Sequence, residues 1–267
     1  MFGKWQRARY TLSTDRAFAH VRPLPVYTLL PLPSKFIVPP SSRMKLLDNV
    51  FWYALTGAQA HFAKGHGKVR RYSEGFSPIA AFADPDHPEF KTLERFCDPG
   101  DSFYCDGWSG PKPAGWDIEA ESTMFKMLWN EARPIGDAAP DAVKIGPQHR
   151  DQVMELVKLT RPGPFGPRTI ELGDYFGIFD GSRLVAMAGE RSQAATLREI
   201  SGVCTHPDYQ GRGLAKRLVH KLVNRQMFRE EYPFLHVMST NKAAHALYQR
   251  MGFADHKESV VRVMVRR

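Results

Sequence analysis

Residues 205–222 read THPDYQGRGLAKRLVHKL. A polar loop runs into Gly211 and Gly213, one residue apart. A segment follows in which Leu214, Leu218 and Leu222 recur at helical spacing. A helix start carries four unpaired N–H groups and a partial positive charge, and both favour a phosphate. Glycine lets backbone and ligand approach with no Cβ between them. The pattern therefore predicts an anion cradle made by the N–H groups from Gly211 to Ala215, with Arg212, Lys216 and Arg217 in reach of the same charge. A plain strand–turn–helix connection with glycine as turn residue accounts for the local pattern equally well. Two other phosphate-binding devices are excluded, since neither GxGxxG nor GxxxxGK followed by Ser or Thr occurs.

The surroundings bear on the choice. LREISGVCTHP (197–207) reads as a strand feeding the loop. Before it come a short strand VKIG (143–146), an amphipathic helix over 147–160 with Val153, Leu156, Val157 and Leu159 on its apolar side, and the loop RPGPFGP (161–167). DYFGIFD (174–180) and SRLVAMAGERS (182–192) then pair across the turn signal Asp180-Gly181. After the basic helix come the strand FLHVMST (234–240), the helix NKAAHALYQRMG (241–252) and an alternating last strand, SVVRVMVRR (259–267). This is an α/β layered arrangement in which a meander feeds a crossover.

VCTHPDYQGRG (203–213) and NKAAHALYQRMGF (241–253), in that order and on those elements, resemble motifs A and B of the GNAT (Gcn5-related N-acetyltransferase) superfamily. The resemblance covers the C-terminal half. It implies a mixed, mostly antiparallel central sheet flanked by helices, and acetyl-CoA or another acyl-CoA as co-substrate. QGRGLA would be the pyrophosphate loop, with Gln210, Gly211, Arg212, Gly213, Leu214 and Ala215 as its residues. Val203, Cys204 and Thr205 would pair with the pantetheine arm like an added strand, and Asn241 would cap its helix and touch the cofactor. Tyr248 would stand at the CoA sulfur as the acid that protonates the departing thiolate. A phenol near pKa ~10 is neutral at pH 7 and can donate. Glu199, eleven residues before Gln210, would be the base, with Glu190 as the alternative. His206 belongs to the loop in that family, and a packing role is expected for it, as for His220 and His245.

Composition limits the rest. Lys plus Arg total 37 against 28 acidic residues, a formal charge of +9, which suits a nucleic acid, a membrane surface or a phosphate-bearing cofactor alike. No nucleic-acid motif occurs and no run of about 18 apolar residues, so neither a nucleic-acid nor a membrane partner is expected. The three cysteines form no CxxC pair and no zinc spacing. Free thiols in a reducing, cytoplasmic setting and no metal are the expectation.

The N-terminal half carries no such motif. Residues 1–43 hold seven Lys or Arg against Asp15 alone, with Pro23, Pro25, Pro31, Pro33, Pro39 and Pro40 in their second half. They read as an extended basic arm, or as an extension upstream of a domain that begins near Met44. Residues 44–138 read as a smaller α/β domain: helix over 45–65 broken at Gly57, strands at 77–84 and 101–107, and a short helix at 87–96. The stretch 115–129 is undecided between strand and helix. DNVFWYALTGAQAHFA (48–63) resembles glycine N-acyltransferase-like proteins, which would make this half a degenerate copy of the GNAT fold that helps to build the acceptor pocket, together with 161–167. NEARPIGDAAPDA (130–142) reads as a linker, so that the GNAT domain would span 139–267. The functional expectation is an N-acetyltransferase acting on a small-molecule amine or amino acid. A non-catalytic acyl-CoA sensor is the alternative. The oligomeric state is open, a homodimer included.

Overall fold

The computed structural model describes residues 40–267, so the expected arm lies outside the described residues except for its last four positions. The first helix begins within those four, with Pro40 in its first turn, where a missing N–H costs nothing. In chain order the elements are α1 (Pro40–Asp48), α2 (Val50–Thr56), β1 (Ala63–Lys64), β2 (Val69–Tyr72), β3 (Ile79–Phe82), the single turn α3 (Phe90–Leu93), β4 (Ser102–Asp106) and β5 (Trp116–Trp129). Then come β6 (Val143–Lys144), α4 (Arg150–Thr160), β7 (Tyr175–Asp180), β8 (Arg183–Ala194), β9 (Leu197–Thr205), α5 (Leu214–Phe228), β10 (Tyr232–Met238), α6 (Lys242–Met251) and β11 (Phe253–Arg266). From β6 onward this is the element order expected. Strands β1 and β2 were not, because the charged run Lys68, Arg70, Arg71 hides the strand signal of β2.

All eleven strands form one sheet in the order β1-β2-β3-β4-β11-β5-β10-β9-β8-β7-β6. Pairing is antiparallel except at β3·β4 and β10·β9. The undecided stretch 115–129 is β5, and it lies between β10 and β11, pairing with β11 from Phe253↔Trp129 to Arg266↔Trp116. Its period is unreadable in sequence because both faces are covered toward its C-terminal end. Met124 packs with α2 on one side, while Met127 packs with α5 and α6 on the other. The expected division at 138/139 lies beyond the end of this strand. The boundary falls in the connection between two strands of one sheet, and the described residues belong to one compact unit.

The helices cover both faces. Leu218, Val219, Leu222 and Val223 of α5 are fully buried against the sheet, with Tyr248 and Met251 of α6 beside them. Val153, Leu156 and Val157 of α4 pack on the opposite face, but Leu159, expected with them, is half exposed. Burying each such leucine contributes about 1.5–3 kcal/mol, which is what seats α5 and its preceding loop at the edge of the site.

Candidate active site

Strands β9 and β10 are parallel neighbours for only four rungs, Leu197–Ile200 against Tyr232–Leu235. Beyond them β9 continues to Thr205 and β10 to Met238 without a rung between them. A bulge in β9 accompanies the parting. Its partner β8 pairs Met187↔Cys204 and then Gly189↔Ser201, which leaves one extra residue in β9. Gly202 sits there at φ 61°, a backbone state that disfavours any residue with a Cβ. The strands open onto a cavity of about 480 Å³. Ser201–Thr205 of β9 and His236–Met238 of β10 line it, together with Gln210, Asn241, Tyr248 and the loop Arg161–Pro164. The N-terminal half contributes Phe51, Ile79, Tyr104, Asp106 and Met124.

Of the residues singled out in the sequence, Val203, Cys204, Thr205, Gln210, Asn241 and Tyr248 are thus brought to one cavity. Asn241 caps α6, its side-chain oxygen accepting from the Ala244 N–H at 3.2 Å. The Gln210 amide donates to the Thr205 carbonyl at 3.4 Å and closes the base of the loop. Tyr248 is buried, with its ring edge-on to Phe253. Burial pushes its phenol up to about 12, and nearby Cys204 adds to the rise. The hydroxyl is therefore a proton donor throughout the neutral range.

Gly211, Arg212, Gly213, Leu214 and Ala215 flank this cavity rather than line it. Gly211 and Gly213 stand at φ 75° and 74°, so the turn itself calls for glycine. A Cβ at either would meet nothing within 4 Å, so crowding is not their reason. The Arg217 N–H to Gly213 carbonyl bond, 3.1 Å, is the first to close a helical turn, and the N–H groups of Leu214, Ala215 and Lys216 lie ahead of it. The expected cations do not all converge. Arg212 lies over the Tyr209 ring and donates to the Asp208 carbonyl. Arg217 turns away to Asp141 and the Ala138 carbonyl. Lys216 is exposed at the helix start.

The structure does not bring Glu199 to the cavity. It is fully buried, and both its oxygens are engaged: Arg191 Nε at 3.0 Å on one, Arg191 Nη2 at 2.5 Å and His236 Nδ1 at 2.7 Å on the other. Burial pushes the carboxyl up, but the Arg191 charge and the hydrogen bonds from His236 and Arg191 outweigh it and hold Glu199 well below the ordinary carboxylate range. Such a group is a poor proton acceptor near neutral pH. Glu190 is also buried and taken, by Arg229, by the Gln226 amide at 3.1 Å and by the Asp174 N–H at 3.2 Å. His206 shapes the loop as expected: its Nδ1 accepts from the Asp208 N–H and its Nε2 meets Arg183 at 2.6 Å. His220 packs against Trp129 and His245 stacks on Phe125.

Comparison with known proteins fits this geometry. Residues 175–263 match the family described as FR47-like protein. The crystal structure of a protein from Novosphingobium aromaticivorans assigned to the GNAT family of acetyltransferases is 29% identical. The match covers 83% of this chain and 98% of that one, with a TM-score of 0.76. In fold the chain is similar to the GNAT acetyltransferases. A GCN5-related N-acetyltransferase from Kribbella flavida shares the fold at 15% identity and TM-score 0.53, over 82% of this chain and 95% of that one. The curated N-alpha-acetyltransferase RimI of Mycobacterium tuberculosis is 35% identical over 82 residues, 30% of this chain. The chain spans about half the length of that relative, 51%.

Within this GNAT fold, sequence reasoning missed Arg191 and His236, two side chains of the cavity wall. The signal was faint: His236 is a lone polar residue inside an apolar strand, in FLHVM, whereas Arg191 stands between Glu190 and Ser192 at the polar end of VAMAGERS. Asp106 is a third. It lines the cavity while bound to the buried Lys126 at 2.6 Å and to the Ser259 hydroxyl at 2.6 Å.

Proposed function

We propose that this cavity is the transfer site of an acyl-CoA-dependent N-acyltransferase, acetyl by default, whose acceptor is a primary amine. The observation that carries the reading is the parting of β9 and β10 after Ile200 and Leu235, which leaves the inner edge of Ser201–Thr205 without a strand partner beside a helix N-terminus and a buried phenol. An extended amide-bearing arm satisfies such an edge as an added strand would. The residues fit acetyl-CoA on this count and on a second: the N–H groups ahead of Arg217 in α5, with Lys216 beside them, offer charge and donors to a pyrophosphate. The family's use of QGRGLA and β9 for CoA supports the same assignment.

When bound, the acyl-CoA would supply a thioester carbon open to attack and a thiolate leaving group. The chain's part is to hold the arm along Val203–Thr205, to exclude water and to manage protons. Tyr248 gives the proton that the departing sulfur needs, since its raised pKa keeps it protonated. Its presence in the cavity favours turnover over binding alone.

The acceptor side is largely apolar, with Phe51, Ile79, Tyr104 and Met124 from the N-terminal half. Arg191 and Asp106 there are already paired, and Arg161 of the loop adds a further cation. A cavity of about 480 Å³ with such walls suits a small monoamine or amino acid rather than a polycation. The resemblance to glycine N-acyltransferase-like proteins points the same way. Similarity to RimI brings a second acceptor class, the N-terminal amine of a polypeptide. Thiol release from acetyl-CoA, measured with glycine, with benzylamine and with a short alanine-initiated peptide, tests the reading. Turnover with glycine or benzylamine above the peptide is expected. Release with the peptide alone would reassign the acceptor, and no amine-dependent release would contradict the transfer reading.

A further inference from the structure

A transfer from an ammonium acceptor needs a group that takes a proton, and neither Glu199 nor Glu190 is free to do so. His236 occupies the place such a group needs. It is the first β10 residue beyond the last rung with β9, and it lines the cavity. Its side chain is only 7% exposed, held by a stack on Phe51 at 5.1 Å and an edge contact with Phe234 at 5.6 Å. Nδ1 meets the Glu199 carboxylate at 2.7 Å. An ionised carboxylate only accepts, so Nδ1 must carry a proton. In the neutral ring Nε2 is then the bare lone pair. Nε2 is buried and has no hydrogen-bond partner. Among the described residues it is the one such atom that belongs to a side chain lining this cavity. A buried acceptor left unpaired is destabilising, and a proton-bearing ligand would relieve it.

The charges around the ring are arranged to keep that tautomer. Arg191 of β8 grips both Glu199 oxygens. Lys126 of β5, directly across the ladder from His236, is bound to Asp106 of β4 and to the carbonyls of Leu47 and Asp48. Each neighbouring cation thus already has its own acceptors, and Nε2 faces no fixed donor.

We propose that His236 is the general base of the transfer and that Glu199 and Arg191 are positioning residues that fix its Nδ1–H tautomer; this rests on the acyl-transfer reading above. The protons balance as follows. His236 Nε2 takes one proton from the acceptor ammonium. The free amine forms the C–N bond as the C–S bond breaks. Tyr248 gives its proton to the sulfur and regains one from the new amide nitrogen. His236 then releases its proton to solvent. The net change is ammonium plus thioester to amide plus thiol plus one proton.

The test is nitrogen-15 NMR of the full chain labelled at histidine, with His236→Gln to assign the signal. The proposal expects the proton of His236 on Nδ1, although free imidazole prefers it on Nε2, and expects Glu199→Gln to shift the ring toward the Nε2–H form. A Glu199 that merely stabilised the fold would leave the tautomer unchanged. His236→Gln is expected to bind acetyl-CoA as the wild type does and to transfer about 10²–10⁴-fold more slowly to the best of glycine, benzylamine and the peptide. An Nε2–H ring in the wild type, or a His236→Gln protein with wild-type turnover, would overturn the base and leave the transfer reading standing. A wild type that fails to bind acetyl-CoA would overturn both.

Discussion

Tyr248 shows how burial sets chemistry at a single residue. In water a phenol titrates near ~10 and a thiol near ~8.5, so giving the phenol proton to a free thiolate is uphill by about 2 kcal/mol, and the transfer goes forward only as the C–S bond breaks and the phenoxide takes a proton back from the new amide nitrogen. Burial beside Cys204 raises the phenol further, to about 12. A raised pKa keeps the group protonated below it, so the donor form persists across neutral pH. Tyr248→Phe removes the donor and keeps the ring on Phe253. Its kcat is expected to fall about 10²-fold or more, with the acetyl-CoA Kd little changed; steady-state kinetics beside calorimetry separates the two. Residue roles were only partly legible beforehand. Tyr248 and Asn241 lie inside a motif whose spacing fixes where they point. The pairing of Glu199 was not legible, because sequence shows a carboxylate on the strand but not the arginine eight residues earlier that folds onto it.

At the scale of elements, the helices and the strands with one covered face announce themselves by period, while β5 does not. Lys126 stands in the middle of its apolar run MFKML, which makes the segment look broken. In the fold that lysine is fully buried and joins three elements: Asp106 of β4 at 2.6 Å, and the last residues of α1 through the Leu47 and Asp48 carbonyls at 3.1 and 2.8 Å. Removing one partner strands the other charge. Lys126→Met should therefore cost about 3–5 kcal/mol in denaturant unfolding, and adding Asp106→Leu should recover most of the loss. An unaltered midpoint in the single variant would show that the pair contributes nothing to joining the two halves. The bulge at Gly202 was equally hidden, since a lone glycine in a strand marks a bulge, a close approach or nothing.

Across the whole molecule, the division read at 130–142 had a physical basis in composition: that stretch is loop, rich in Pro, Gly, Ala and Asp. What composition cannot show is that the strand before the loop pairs with the strands after it. β5 enters the sheet between β10 and β11, and that weaving places Phe51, Tyr104 and Met124 opposite the β9–β10 opening. The two sides of the cavity thus come from different halves of the chain, and only the second half carries local motifs that could be read in advance. The central claim is that the parted strands and the loop QGRGLA together hold an acyl-CoA. Calorimetric titration with acetyl-CoA, wild type beside Gly213→Asp, tests it most directly. Position 213 has open space around it and a left-handed backbone that aspartate tolerates better than most residues, so the variant mainly brings a negative charge to the helix start. Wild-type protein is expected to bind with Kd on the order of micromolar, a free energy of about −8 kcal/mol, and the variant to lose binding. Absence of binding by folded wild-type protein, or equal binding by both, would contradict it.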